Sequence, residues 1–252
     1  MPFRLGKNPP IADRLGRELK FEKYKAALPF PPAAVNFMSK VTSWPMFDND
    51  TIGDCAEAAF AHHQMGWTWY ADKPLIPTLS SVVKAYSAIG GYVPGDPSTD
   101  NGSDLQTALK YYNNLGIIKA FAKLKTGNWM ELQQAVALFG GVYIGIALPD
   151  AVVPEGPGAP DWTTIPWKWQ TSWSPNPDNG HCVPVMRYNT AFNDAGIVSW
   201  ANGDMVMDRP FYENCSDEGW VIVTEEFIKA DGESPSGFDL AQLLADQKVV
   251  TA

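Results

Sequence analysis

Along residues 48–141 the apolar positions recur three and four apart, whereas from 142 onward they come in short continuous blocks. Cys55, Ala58, Ala59, His62, Met65, Gly66 and Trp69 line one face of a helix over 55–70. Leu79, Val82, Val83 and Tyr86 do the same for a helix over 77–89. A third helix is expected over 103–116, with Ser103 as its N-cap and Gly116 as its stop. Asn128 followed by Glu131 opens a fourth, which Gly140 and Gly141 end. The blocks at 142–148, 181–188, 196–201, 204–212 and 219–223 read as strands. A short helix near 224–229 and a last one over 238–247 complete the pattern. Helices followed by antiparallel strands predict an α+β fold with a helical lobe and a sheet lobe.

Two stretches carry neither period. Residues 1–49 hold proline-stiffened segments around a short charged piece, and read as an extended arm lying across the body. Residues 149–180 contain seven prolines and four tryptophans. An ordered flap or the wall of a cleft fits that composition, since so many tryptophans argue against a solvated linker. The expected organisation is an arm over 1–49, a helical lobe over 50–141 and a sheet lobe over 142–252, in one two-lobed unit.

Charge narrows the partners. The chain of 252 residues carries 28 acidic against 19 basic side chains, a formal net charge of −9, with no cationic run to neutralise phosphates. Nucleic acid and anionic membranes are therefore not expected as partners. No stretch approaches the length of an apolar membrane span, and "MPFRLGKNPP" lacks the apolar run of a secretory signal. Three cysteines leave at least one thiol unpaired. Metal-ligand spacings and a phosphate-cradling glycine loop are missing from the sequence, so no cofactor is expected. The segment "DPSTDNGSD" has the flavour of a calcium loop, but its glycine is one place late and the closing glutamate is missing; it reads as a turn.

The chemistry is carried by few residues. Cys55 stands behind Gly53-Asp54 at a helix start, where the macrodipole favours a thiolate. Of the three histidines, His62 and His63 lie on that same helix, about 10–12 Å of rise away, and are expected to be structural. His181 opens a strand after a loop and can face a cleft from the opposite lobe. Cys182 then points the other way, into the core. Cys215 lies near a turn, where exposure is expected.

The order of a helix-start cysteine, a helical lobe, "GH" opening a strand and "SW" on the next resembles the papain-like cysteine peptidases. The segments "NDTIGDCAEAA", "DNGSDLQTALKYYNNLGI", "NGHCVPVMRYN…VSWA" and "DEGWVIV…GESPSGFDLAQLL" more closely resemble papain-like proteins of phage and prophage genomes. That resemblance implies Cys55 as nucleophile and His181 as base. Papain-like enzymes carry a Gln six residues before the nucleophile as an oxyanion donor, and Asn49 stands there. They also carry an Asn directly before "SW" to orient the histidine. Here Val198 holds that place, Ala201 replaces the following glycine, and counting along the strands reaches Ser199. Asn202 and Asp204 lie slightly further on, and Asn202 is the expected orienting residue.

The resemblance implies a thiol hydrolase of an amide bond in a peptide or peptide-like substrate, either protein or cell-wall peptide. The alternative is a catalytically inactive papain-like protein serving as a phage virion component, with other phage structural proteins as partners. Either reading implies the host cytoplasm or the virion as location.

Overall fold

The computed structural model describes all residues except 1–3, 12–18, 26–27, 29, 154–162, 226–237 and 252. In chain order its elements are α1 (Phe21–Tyr24), β1 (Ala34–Asn36), α2 (Cys55–Tyr70), α3 (Leu79–Gly90), α4 (Leu105–Asn114), β2 (Ala120–Lys123) and α5 (Trp129–Phe139). Then follow β3 (Val142–Ala147), β4 (Gly180–Asn189), β5 (Asp194–Ile197), β6 (Val206–Asp208), α6 (Arg209–Cys215), β7 (Ser216–Val223) and α7 (Leu240–Thr251).

The strands form one antiparallel sheet in the order β2-β7-β3-β4-β5-β6, with β1 paired to the far end of β4. This is the α+β architecture expected. β3 lies at the centre, and all six of its residues are buried. One face of the sheet packs on α5, α6 and α7 through Leu132, Phe139, Phe211 and Leu243. Its other face packs on α2 and α4 through Ala56, Phe60, Leu109, Tyr143, Cys182 and Trp220. Most of the length of α2 is enclosed, so the side opposite the sheet is apolar too, with Ala58, Ala61 and Met65 meeting Phe47 and Val82. The Tyr143 hydroxyl donates to the Ala56 carbonyl at 2.8 Å, fixing the first turn of α2 on β3.

Several expected elements shift for local reasons. The strand expected over 204–212 ends at Asp208, whose carboxylate caps α6 by accepting the Phe211 N–H at 2.8 Å, with Pro210 in the first turn. The block at 196–201 leaves the sheet after Ile197, because Ser199–Asn202 closes a tight turn. α4 is capped by Asp104, not Ser103, through an Asp104 acceptor for the Thr107 N–H. β1 and β2 have no counterpart in the sequence pattern. Each has only three or four residues and is held by a longer partner strand. Most of the helix expected near 224–229 lies outside the described residues. Among the described residues, no helix is long and apolar enough to cross a membrane.

Candidate active site

Cys55 is the first residue of α2, and its thiol is buried. The tight turn before it holds Phe47 and Asp48 in the left-handed region, at φ 58° and 64°. The backbone of Cys182 and that of Gly6 lie against the sulfur. His181 is the residue before Cys182 on β4, so the two side chains expected to react come to one end of the same strand. No hydrogen bond joins them, since His181 Nδ1 is buried without a partner.

The imidazole is firmly placed. Its Nε2 lies 3.1 Å from Ser199 Oγ, its ring stacks on Trp200 at 4.3 Å and 15°, and Trp167 meets it edge-on at 6.3 Å. Ser199 is therefore the side chain that meets the ring at Nε2. Asn202 does not meet it: its amide donates to the Thr163 carbonyl, and it lines a surface groove of about 480 Å³ with Trp44 and Arg187. The swap follows from the turn. Ser199 and Asn202 exchange backbone hydrogen bonds of 3.1 and 2.9 Å, which puts Trp200 and Ala201 at its centre with φ 44° and 63°. Both are non-glycine residues in the left-handed region, a conformation that costs on the order of 1 kcal/mol each and recurs at functional sites. The strain places the Trp200 indole over the imidazole. Replacing Ala201 with glycine is expected to stabilise the fold by about 1 kcal/mol, raising the thermal midpoint by a few degrees. A lower midpoint would mean that the turn is not strained there.

Burial around the thiol works against the thiolate that the helix start favours. Burial pushes Cys55 up to about 12, and the carboxyls of Glu57 and Asp54 push the same way, against the adjoining backbone of Cys182 and Gly6. Asp54 is fully buried, and burial with the neighbouring Glu57 raises its carboxyl to about 9. Glu57 accepts from Ser103 Oγ at 2.7 Å, and burial raises it to about 7. Asn49 is buried with its carboxamide near enough to Asp54 to favour that carboxylate, but Nδ2 closes no hydrogen bond of ordinary geometry. Burial lowers His181 to about 3.

The other candidates fall outside the centre. His62 Nε2 meets the Pro45 carbonyl at 2.8 Å, and His63 stacks on Trp67 at 4.9 Å. Cys182 is core, on the strand face opposite His181, as expected. Cys215 is buried, not exposed, because the turn expected around it is the end of α6 packed on the sheet.

What covers the thiol is the chain's own N-terminal arm. Gly6 O accepts from the Ser103 N–H at 2.7 Å, the Lys7 N–H donates to Gly180 O at 3.1 Å, and the Asn8 N–H donates to Ser103 O at 2.9 Å. Arg4 adds an ion pair to Asp100 at 2.7 Å. The segment passes between Gly53 and Gly102 on the helical side and Gly180 on the sheet side. A Cβ on Gly6 would overlap the Gly53 carbonyl, one on Gly102 the Gly6 carbonyl, and one on Gly180 the Lys7 carbonyl. The slot is one backbone wide. None of this had a local signal in the sequence beyond the glycines themselves.

No protein family and no curated protein matches the sequence. Solved structures do match in fold. Xylellain, a cysteine protease from Xylella fastidiosa, superposes with a TM-score of 0.65 at 16% identity, over 88% of this chain and 97% of that one. Digestive procathepsin L 3 of Tenebrio molitor gives 0.52 at 15% identity, over 83% and 77%. The bromelain protease of Ananas comosus, in complex with the E64 inhibitor, gives 0.51 at 11% identity, over 77% and 100%. With its helix-start cysteine and strand-start histidine, the chain has the fold of the papain-like cysteine proteases.

Proposed function

We propose that this protein is a papain-like thiol hydrolase of amide bonds in peptides or peptide-like substrates, held closed by residues 4–8. The observation that carries the reading is the arm itself: a peptide already lies in the slot over Cys55, held by its main chain to Ser103 and Gly180. Once the arm leaves, water and a substrate carbonyl reach the sulfur, and the desolvation that raises the thiol is relieved. His181 Nδ1 takes the thiol proton, and the thiolate attacks the carbonyl carbon. The resulting oxyanion accepts from the Cys55 N–H at the helix start and from Asn49 Nδ2. The imidazolium gives its proton to the leaving amine, and water, deprotonated by the same imidazole, releases the acid. Ser199 and Trp200 act as positioning residues, holding the ring by its Nε2 and its face and leaving Nδ1 for the proton transfer. Asn202 has no part in this scheme.

The test is hydrolysis of a peptide-amide library by the full chain with the arm displaced. Cys55→Ala and His181→Ala are each expected to lower the rate by at least about a thousandfold. An unchanged rate in either variant would end the scheme. The alternative is a non-catalytic phage component; the closed site favours its inactivity, since burial disfavours the charged forms of both thiol and imidazole and His181 Nδ1 has no hydrogen-bond partner. It predicts that Cys55 stays inert after the arm is displaced.

A further inference from the structure

Beside the slot, the Lys7 side chain is fully enclosed. Its ammonium lies 2.6 Å from Asp217 Oδ2 and 3.4 Å from Glu218 Oε1, both on β7. The stem passes over Gly145 of β3, where a Cβ would overlap Lys7 Cε. Glu218 is 1% exposed, and Trp220 Nε1 holds its other oxygen at 2.8 Å. A buried lysine is costly unless paired, and here the pairing wins: burial lowers its pKa, but Glu218 and Asp217 together raise it above the ordinary value. This is a built pocket, with a glycine floor for an unbranched stem and two carboxyls at the end. It opens beside the cysteine, because Gly145 pairs across the sheet with Cys182, whose backbone touches the Cys55 sulfur.

We propose that the pocket of Gly145, Asp217 and Glu218 is a specificity subsite for a lysine-like side chain of the peptide substrate, which Lys7 occupies while the arm is docked. The inference rests on the hydrolase reading. A long, unbranched primary ammonium fits it. A neutral side chain of the same length leaves the carboxyls unpaired, and an acidic one places a further carboxyl beside the two.

The experiment uses the full chain carrying Lys7→Ala, which empties the pocket, with Lys7→Met as a same-length neutral variant should the alanine variant fold poorly. Peptide amides differing only in lysine, norleucine or glutamate are scanned through each position. Binding is read in the variant that also carries Cys55→Ala, and hydrolysis in the variant that keeps Cys55. Lysine peptides are expected to bind and react at least about tenfold better than norleucine peptides, with Asp217→Asn plus Glu218→Gln removing that advantage. n-Butylammonium is also expected to raise the thermal midpoint of Lys7→Ala and leave the parent chain unmoved. Lysine-selective binding without hydrolysis would sustain the subsite and sink the hydrolase. Hydrolysis or binding indifferent to lysine, or no peptide binding and no rescue by butylammonium, would overturn the subsite.

Discussion

Replacing Gly6 with valine is expected to make Cys55 alkylate roughly a thousandfold faster near neutral pH. The cause is steric first and electrostatic second. Any side chain at Gly6 runs into the Gly53 carbonyl, which belongs to the turn feeding α2 and has no flexible end to move aside. The segment must leave, taking with it the hydrogen bonds to Ser103 and Gly180 and the seat of Lys7. Water then reaches a thiol that burial holds at about 12. Each unit of return toward the ordinary value of roughly 8.5 raises the thiolate fraction about tenfold. Iodoacetamide labelling followed by peptide mapping checks this, with Cys182 and Cys215 as buried internal controls. Equal, slow labelling of Cys55 in the parent and the variant would mean that something other than the arm shields the sulfur.

The second expectation concerns acid and alkali. Burial raises the carboxyls of Asp54 to about 9 and of Glu57 and Glu218 to about 7, with Lys7 only partly offsetting it at Glu218. The unfolded chain releases those three protons from about pH 4 upward while the folded one keeps them, so this set loses stability as pH rises. Burial lowers His62 to about 4 and both His63 and His181 to about 3. The unfolded chain takes up those protons below about pH 6.5 and the folded one refuses them, so this set loses stability as pH falls. Between about pH 4 and 6.5 the two sets oppose each other proton for proton, and stability is expected to be nearly flat. Above about pH 7 Asp54 alone removes about 1.4 kcal/mol per unit, joined by the buried thiols above about 8.5. Below about pH 4 the unfolded carboxyls take up their protons too, and with His62 titrating in the folded chain the net loss is about 1.4 kcal/mol per unit, fading below about pH 3. Urea midpoints measured across the range check the shape. A single slope from acid to alkali would show that one set does not titrate as its burial requires.

Sequence periodicity foretold most of this molecule, and the reasons for the rest are physical. α2 and β3 were legible because long or continuous apolar runs leave little choice of element. Cys55 and His181 stand out as candidates because only three cysteines and three histidines are available. Counting along the strands reaches Ser199, yet the expectation passes over it for Asn202; the turn with Trp200 and Ala201 at its centre puts Ser199 on the ring and turns Asn202 away. Burial, with Glu57 and Asp54 beside it, pushes the Cys55 thiol up, opposite to the direction a helix start implies. The docking of Gly6 and Lys7 joins residues far apart in the chain. Its traces, glycines at 53, 102, 145 and 180, read singly as ordinary turn or strand residues.

The narrowness of the slot bears on inhibitor design. A ligand laid along the path of the arm needs an unsubstituted methylene where Gly6 passes, followed by an aminobutyl group to reach Asp217. A glycyl-lysine core with an electrophile above the sulfur meets both demands. A ligand branched at the first of these points would meet the Gly53 carbonyl instead.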